Sequence, residues 1–236
     1  MQTDTLRAFL NDEPAPVQNV TKGDAVTWLK SLDDESVDLI ITDPPYESLE
    51  KHRAKGTTTR LKVSKGSSNQ WFSIFPNTRF EALFTEIFRV LKPDSHFYLF
   101  CDQETMFIAK PIAESVGFKF WKPLVWDKQA IGMGYHYRAR YEFILFFEKG
   151  KRKLNDLGIP DVLSYKRVWR GYPTEKPVEL LETLITQSSS EKAIVADPFF
   201  GSGSTLIAAK HLNRVFMGCD ISDEAHQHLA KRLAQE

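Results

Sequence analysis

The 236-residue sequence has little of what marks secreted, metal-binding or membrane-spanning proteins. It has two cysteines, Cys101 and Cys219, and neither has the spacing of a metal-ligand pair. Each ends an apolar run, so we interpret both as reduced thiols of the core. No apolar run approaches the ~20 residues that a membrane span needs, and residues 1–11 lack the basic and apolar regions of a secretory signal. We therefore expect a cytoplasmic protein with no metal site and no membrane partner.

The sequence also lacks an excess of either charge, since Lys+Arg and Asp+Glu both total 31. A net charge of zero gives no whole-chain argument for a nucleic-acid partner, so local charge must decide. Two stretches without sustained periodicity, residues 47–77 and 149–173, are basic. Charge runs of this kind are usually solvated surface. The aromatic residues Trp71, Tyr165 and Trp169 within them favour a DNA-contacting role instead.

Apolar strands that alternate with segments of helical period predict an α/β fold. We predict seven strands, near residues 17, 37, 95, 118, 141, 193 and 214. Helices or long crossovers separate all of them except Phe118–Trp126 and Tyr141–Phe147, a pair typical of an antiparallel hairpin. The prediction is a doubly wound, mostly parallel seven-stranded sheet with one antiparallel strand and both faces covered. At this length and with 42% hydrophobic residues, we expect a single domain over residues 1–236.

Two helix starts carry recognisable boundary residues. Asp24 precedes the first helix, where capping is about as good an interpretation as contact with a ligand. Thr174 is a natural N-cap for a later helix, with Pro177 in its first turn. The predicted helices are Ala25–Leu32, Phe80–Leu91, Thr105–Val116, Thr174–Gln187, Leu206–Leu212 and Ser222–Leu233.

The stretch of residues 37–46 joins a buried strand to an acid, two prolines and an aromatic ring. Pro44 and Pro45 fix φ and remove two backbone donors. The Asp43 carboxylate and the Pro44 carbonyl are then left as acceptors that can both point at one amino group. Tyr46 follows where a flat substrate can stack on its ring. The alternative is an ordinary strand-ending turn.

A second motif, residues 193–205, reads as a strand, a glycine turn and the start of a helix. Gly201 and Gly203 let the backbone approach a ligand closely. The motif differs from the dinucleotide fingerprint, because a spaced third glycine is missing and Asp-Pro precedes the turn. The next strand ends in Asp220, 23 residues after Asp197, where an adjacent parallel strand brings a carboxylate to ribose hydroxyls.

Four acids follow the carboxyl ends of predicted strands: Asp24, Asp43, Asp197 and Asp220. Ligands of doubly wound sheets bind at these ends. We therefore expect the four carboxylates to converge on one rim of the sheet.

The chain resembles the S-adenosylmethionine-dependent amino-methyltransferases of DNA, over most of residues 17–235. It is most similar to the permuted group, in which the catalytic tetrapeptide precedes the cofactor loop. Asp43-Pro44-Pro45-Tyr46 resembles the catalytic motif, residues 197–205 the cofactor loop, and Thr174-Glu175-Lys176-Pro177 the cofactor-contacting element before it. Tyr172 is a departure, because many relatives have His there. The resemblance implies a circularly permuted Rossmann-like methyltransferase fold.

The resemblance also implies the roles of individual residues. The catalytic residues are Asp43, Pro44, Pro45 and Tyr46, and the cofactor-binding residues are Asp24, Thr174, Lys176, Pro177, Asp197, Pro198, Phe199, Gly201, Gly203, Thr205 and Asp220. In and between the two basic stretches we predict DNA contacts by Lys51, Arg53, Lys55, Arg60, Lys62, Lys65, Arg138, Arg140, Arg152, Arg167 and Arg170.

The implied activity is methyl transfer from S-adenosylmethionine to the N6 amine of adenine, in a specific sequence of double-stranded DNA, after base flipping. A tetrapeptide that begins with Asp favours adenine, whereas relatives that methylate cytosine N4 often begin with Ser. Cytosine-N4 methylation, RNA or protein glutamine methylation and a catalytically silent DNA-binding subunit remain alternatives. A covalent cysteine route lacks support, because neither cysteine follows a proline.

Partners beyond DNA follow less directly. Residues 149–173 form a smaller recognition region than many relatives have, which favours a homodimer that clamps the duplex with two subunits. The family's link to restriction and modification leaves a cognate restriction endonuclease open as a partner.

Overall fold

The structure, a computed structural model, describes residues 19–48, 73–132, 136–169 and 171–235. Its strands are β1 (Asn19–Lys22), β2 (Val37–Thr42), β3 (Leu91–Cys101), β4 (Lys119–Asp127), β5 (Tyr141–Lys149), β6 (Val162–Ser164), β7 (Ile194–Asp197) and β8 (Val215–Asp220). Its helices are α1 (Ala25–Lys30), α2 (Phe80–Val90), α3 (Gln103–Val116), α4 (Val178–Ser188), α5 (Ser204–His211) and α6 (Asp223–Leu233). None of these described helices is long and apolar enough to cross a membrane.

The strands form one sheet in the order β1-β8-β7-β2-β3-β5-β4-β6. Only β5 runs against its neighbours, β3 and β4, which confirms the mostly parallel sheet with one reversed strand. The predicted count of seven strands was wrong, because β6 adds an eighth within the second basic stretch. Three residues show no periodicity, and the partner of β6 is Val125–Asp127 of β4, far away in the sequence.

Helices cover both faces of the sheet. Helices α1, α2 and α3 pack on one face, and α4, α5 and α6 pack on the other. Strand β2 contributes to both cores: Val37 and Ile40 face the first set of helices, and Leu39 and Ile41 face the second. Burial on both faces explains why this strand is continuously apolar rather than alternating.

The switch point of the sheet lies between the neighbouring strands β7 and β2. The strand that follows β7 in the chain, β8, lies on one side of this pair, and the strand that follows β2, β3, lies on the other side. Strands β7 and β2 are parallel, and the Thr42 hydroxyl donates a hydrogen bond of 2.8 Å to Asp197 Oδ1 across the switch point. Such a switch point opens a crevice at the carboxyl ends of the strands, where ligands of this fold class bind.

The start of α4 differs from the prediction. Thr174 adopts a left-handed φ of 61° and does not cap the helix; the N-cap position is Pro177, which makes no side-chain cap bond. The turn before α4 is held instead by Glu175, whose carboxylate accepts the Tyr172 N–H at 2.8 Å. Lys176 follows this turn directly and precedes Pro177, and its side chain is buried in the interior.

Candidate active site

A cavity of about 640 Å³ lies over the switch point, at the carboxyl ends of β1, β2, β7 and β8. The four acids Asp24, Asp43, Asp197 and Asp220 all line it, as expected from the sequence. Of the residues predicted for catalysis and cofactor binding, only Pro177 and Gly203 do not. Its volume lies in the range of small-molecule and cofactor sites.

The loop between β7 and α5 forms one wall of this cavity. Gly201 and Gly203 both have left-handed φ values, 48° and 77°. A Cβ on Gly203 would lie 2.5 Å from Leu229 Cδ1 of α6. Gly203 is therefore required by the backbone turn and by helix packing, whereas the sequence suggested close approach to a ligand.

Asp220 fixes the glycine loop from the end of β8. Its carboxylate accepts the Gly201 N–H at 2.9 Å and the Ser222 N–H at 2.8 Å. Burial raises the pKa of Asp220 in spite of these two hydrogen bonds. A carboxylate has about four lone-pair positions, so this side chain retains acceptors for ribose hydroxyls.

Asp197 holds the two central strands together. Its Oδ1 atom accepts the Thr42 hydroxyl and, at 3.0 Å, the Phe199 N–H. Burial raises the pKa of Asp197 to about 7, against the hydrogen bonds from Thr205, Phe199 and Thr42, which lower it. Because Asp197 Oδ1 accepts both of these hydrogen bonds, Asp197 has a structural role in the loop in addition to any contact with a ligand.

The tetrapeptide leaves the end of β2 and lines the cavity. The Phe75 N–H donates to the Pro45 carbonyl at 2.7 Å, while no hydrogen bond between described residues uses the Pro44 carbonyl. Tyr46 pairs with Phe75 through an isolated bridge. Its side chain lines the cavity but is only 9% exposed, and burial raises its pKa well above the usual value.

Asp24 occupies the β1 end of the cavity. It caps α1 by accepting the Thr27 N–H at 3.1 Å, and it pairs with Arg79 at 2.8 Å. The guanidinium of Arg79 also lies 4.9 Å from the ring centroid of Phe75, which in turn contacts Phe199 edge-on at 5.0 Å. The capping interpretation is thus confirmed, and a contact of Asp24 with the cofactor stays a prediction. Arg79 belongs to no sequence motif and was not predicted as a site residue.

Asp43 is one end of a row of four alternating charges, here called the charge chain: Asp43, Lys176, Glu142 and Lys128. The Lys176 ammonium lies 2.5 Å from Asp43 Oδ2 and 2.9 Å from Glu142 Oε1. Lys128, just after β4, lies 2.7 Å from Glu142 Oε2. Sequence reasoning placed Lys176 with the cofactor, whereas the structure places it against the predicted catalytic acid.

Burial and neighbouring charges determine the protonation of the side chains in the charge chain. Burial raises the pKa of Asp43, and the Lys176 charge only partly offsets it. Burial also raises the pKa of Glu142, but Lys176 and Lys128 outweigh it and lower the pKa to about 2. For Lys176, burial lowers the pKa, and the two carboxylates outweigh it and raise the pKa above the usual value. The charge chain therefore contains an ionised Glu142–Lys176 pair beside Asp43, which is more easily protonated.

Comparison with known proteins assigns the family. The family model described as N6_N4 DNA methylase matches residues 37–232, from the start of β2 to the last turn of α6. The chain belongs to the N6/N4 DNA methylase family.

Individual relatives agree with this assignment. The methylase is 30% identical to the type II methyltransferase M.HpaI of Haemophilus parainfluenzae, over 93% of this chain and 75% of that protein. The structure of M1.HpyAVI superposes with a TM-score of 0.68 at 25% identity, covering 92% of this chain and 98% of that one. The cytosine-N4-specific PvuII DNA methyltransferase shares the fold with a TM-score of 0.69 at 16% identity, over 93% and 89%.

The methylase brings some predicted DNA contacts to the rim of the cavity. Arg167 lines the cavity and stacks over Trp169 with 4.1 Å between guanidinium and ring centroid. Arg138 is exposed beside β5. Arg140 makes two bonds to Asp127, of 2.6 and 2.7 Å, at the same end of β4 and β5. Lys51, Arg53, Lys55, Arg60, Lys62, Lys65 and Arg170 lie outside the described residues.

Arg152 is not brought to this rim. Strand β5 starts beside the cavity, where Tyr141 pairs with Asp127, and runs roughly 27 Å to the opposite edge, where Lys149 pairs with Ser95. Arg152 follows directly, and its backbone carbonyl lies 3.1 Å from His96 Nε2. Arg152 thus lies at the other end of β5 from the cavity, because this antiparallel strand carries the chain away from the site before β6 returns it, and a DNA contact by Arg152 stays a prediction.

Proposed function

We propose that this methylase transfers a methyl group from S-adenosylmethionine to the N6 amine of adenine in a specific sequence of double-stranded DNA. The observation that carries the proposal is Asp43, which follows β2 at the cavity wall beside an unengaged Pro44 carbonyl and across from the glycine loop. Two adjacent acceptors suit the two hydrogens of an exocyclic amine. Membership of the N6/N4 DNA methylase family supports both the reaction and the DNA substrate.

The cavity fits S-adenosylmethionine, which carries a ribose, a sulfonium cation and no phosphate. Asp220 offers acceptors for ribose hydroxyls at the glycine loop. Of the basic residues that line the cavity, Arg79 is paired to Asp24 and Lys176 to Asp43. Arg232 contacts the loop at the Ser202 carbonyl but is paired to Glu175. Acids beside cations that are already paired suit a cationic nucleoside better than a dinucleotide phosphate. M1.HpyAVI has been solved as a complex with S-adenosylmethionine.

The residues of this chain act on the amine rather than on the methyl group. The lone pair of an exocyclic amine is delocalised into the base, so the amine is a poor nucleophile. Asp43 and the Pro44 carbonyl, by accepting its two N–H bonds, favour the pyramidal nitrogen of the transition state over the planar ground state. S-adenosylmethionine, when bound, would supply the methyl carbon, with the sulfur keeping the electrons of the broken S–C bond. The amine nitrogen forms the new N–C bond and then releases one proton to water. The glycine loop orients the two reactants in line.

The target base must leave the duplex to reach Asp43, because the acid lies inside the cavity. Tyr46 is placed next to Asp43 and presents the exposed part of its ring to the same cavity. We propose that this part of the ring contacts the flipped base, while the remainder anchors the tetrapeptide in the core. Arg167 and Trp169 at the mouth are available to the DNA strand that carries the base.

Adenine is proposed over cytosine because the tetrapeptide begins with Asp43. Both bases present an exocyclic amine next to a ring nitrogen, so the same acceptors can serve either, and the cytosine-N4-specific PvuII enzyme has the same fold. A silent DNA-binding subunit is disfavoured, because it does not need both the acid and the glycine loop. A homodimer and a cognate endonuclease stay predictions.

The test is methyl transfer to unmethylated double-stranded DNA with labelled S-adenosylmethionine, followed by digestion to nucleosides. We expect the label in N6-methyl-2′-deoxyadenosine, and only with duplexes that contain one particular sequence. Label in N4-methylcytosine would overturn the choice of base, and label in RNA or protein but not in DNA would overturn the substrate. Tyr46→Ala, tested beside Tyr141→Ala on the exposed surface, separates loss of the base contact from a general effect of losing a ring.

A further inference from the structure

Lys176 and Glu142, the neighbours of Asp43 in the charge chain, have no part in the reaction described so far. The Lys176 ammonium lies between two carboxylates, 2.5 Å from Asp43 and 2.9 Å from Glu142. Its side chain is only 10% exposed, and it lies over the rings of Phe100 and Trp126 at 5.1 and 5.9 Å. Removing an ion pair from water is costly, so a pair of this kind is weak evidence for stability.

The geometry leaves Asp43 half engaged. Lys176 occupies Oδ2, and no hydrogen bond between described residues uses Oδ1. The side chain keeps 26% of its surface exposed, against 11% for Glu142, so Asp43 is the more open acid of the two. One oxygen is thus held from behind by the lysine, and the other remains for a ligand in the cavity.

We propose that Lys176 and Glu142 are positioning residues for the methylation reaction: Glu142 anchors Lys176, and Lys176 orients Asp43 so that one carboxylate oxygen receives the target amine. The proposal rests on the proposed role of Asp43 as the acceptor of that amine. It assigns Lys176 to the acid rather than to the cofactor. It also brings β5, through Glu142, into the active site.

The anchor is itself fixed by a second lysine. Lys128 lies 2.7 Å from the other oxygen of Glu142 and 5.1 Å from the Trp126 ring. Each Glu142 oxygen therefore lies within ion-pair distance of a lysine ammonium, which places Glu142 to hold Lys176 rather than to receive the base. When the amine reaches Asp43, Lys176 can keep its bond to Glu142 even if its bond to Asp43 lengthens.

The two residues have opposite electrostatic effects on Asp43. Lys176 favours the ionised carboxylate, and Glu142 disfavours it, which the directions of their effects on the pKa of Asp43 also show. Removing the lysine charge therefore raises the pH at which Asp43 ionises, and removing the glutamate charge lowers it. The titratable and charged groups around Asp43 are Lys176, Glu142, Lys128, Asp197, Tyr46, Cys101 and Asp102.

The experiment measures the single-turnover methylation rate as a function of pH for Lys176→Met and Glu142→Gln. We expect the acidic limb of the profile to move to higher pH in Lys176→Met, by about one to three pH units for loss of an adjacent opposite charge. In Glu142→Gln the limb moves to lower pH. Lys176→Arg keeps the charge and returns the limb toward that of the unaltered methylase.

Matched controls exist at the far end of the same strands. Lys92 pairs with Asp38 of β2 at 2.8 Å, and Glu148 is buried on β5. Lys92→Met and Glu148→Gln remove equivalent charges away from the cavity and should leave the limb in place. Calorimetric titration with S-adenosylmethionine verifies that each variant retains a folded cofactor site. If Lys176→Met fails to fold, Lys176→Met combined with Glu142→Gln removes both charges together and should place the limb at higher pH than in Glu142→Gln alone.

A second readout does not depend on turnover. The infrared absorption of the protonated Asp43 carboxyl, assigned by its loss in Asp43→Asn, should disappear at higher pH in Lys176→Met and at lower pH in Glu142→Gln. Limbs that stay in place, or that move in the same direction in both variants, would overturn the positioning role. Normal turnover by Asp43→Asn would instead overturn the proposed function, so the two failures are distinguishable.

Discussion

At the scale of single residues, the carboxylates of the rim accept hydrogen bonds from the protein and also have acceptor positions open to a ligand. Asp197 and Asp220 both accept hydrogen bonds from the backbone of the cofactor loop. Asp43 accepts from Lys176. Sequence position at strand ends was enough to find all three, because parallel strands bring their carboxyl ends to one edge.

Asp220→Asn should weaken S-adenosylmethionine binding. A hydrogen bond to a charged group contributes about 1.5–3 kcal/mol, so we expect a loss of roughly ten- to a hundredfold in affinity. The rate at saturating cofactor should change little, because a ribose contact is the same in the ground and transition states.

Calorimetric titration measures this affinity, with Asp223→Asn as the control. Asp223 is exposed and pairs only with Lys22 at 2.6 Å among the described residues. Equal affinities for Asp220→Asn and Asp223→Asn would remove Asp220 from the cofactor site.

Glu142 shows where residue-level prediction from the sequence ends. It is the second residue of an apolar strand, Tyr141–Lys149, and alternation places it on the same side as Ile144 and Phe146. The signal in the sequence that could have pointed to Glu142 was a charged residue at a strand position that alternation predicts to be buried. Its partner Lys176 is 34 residues away in the sequence, and only the pairing of β5 with β3 and the turn before α4 bring the two together.

At the scale of elements, the cofactor loop depends on the packing of α5 against α6. Gly203→Ala should destabilise the protein by about 1–2 kcal/mol, because the backbone has a left-handed φ and the terminal methyl of Leu229, 2.5 Å from the new Cβ, must shift. Urea denaturation measures the free energy of unfolding.

Gly23→Ala is the matched control, since a Cβ there has no atom within 4 Å. It should change the free energy of unfolding by less than about 0.5 kcal/mol. A Gly203→Ala variant as stable as Gly23→Ala would contradict the assigned role of the turn.

Elements with strong periodicity were predictable, and those set by tertiary contacts were not. Continuous apolar runs identified β2 and β7, and helical spacing identified α2 and α6. Strand β6 was missed because three residues carry no period. The start of α4 was misplaced because Glu175, rather than a cap at Thr174, forms the turn; the Arg232 guanidinium of α6 lies 3.3 Å from the same carboxylate.

At the scale of the whole molecule, the basic residues of the second stretch lie at two opposite ends of the strands of the sheet. Residues 149–153 follow the far end of β5, while Arg167 lines the cavity at the near end. Composition alone could not separate them, because the separation depends on the direction of β5. DNA that delivers a base to Asp43 should therefore contact only the second group.

Arg167→Ala should flatten the dependence of log DNA affinity on log salt concentration by about 0.9, as expected for one lost phosphate contact. Lys153→Ala removes an exposed charge at the far end and should leave the slope unchanged. Fluorescence anisotropy with labelled duplex at several salt concentrations gives both slopes. A lower slope in Lys153→Ala than in Arg167→Ala would reverse the assigned DNA-facing side.

We propose that the rim over β2 and β7 is a methyl-transfer site in which Asp43 receives the target amine. The most direct measurement is the single-turnover rate of methyl transfer to DNA by Asp43→Ala, beside a calorimetric titration with S-adenosylmethionine. We predict a loss of at least about a hundredfold in rate with nearly unchanged cofactor affinity, because Asp43 contacts the base and not the donor. An Asp43→Ala variant that binds the cofactor and methylates DNA at the original rate would contradict the account.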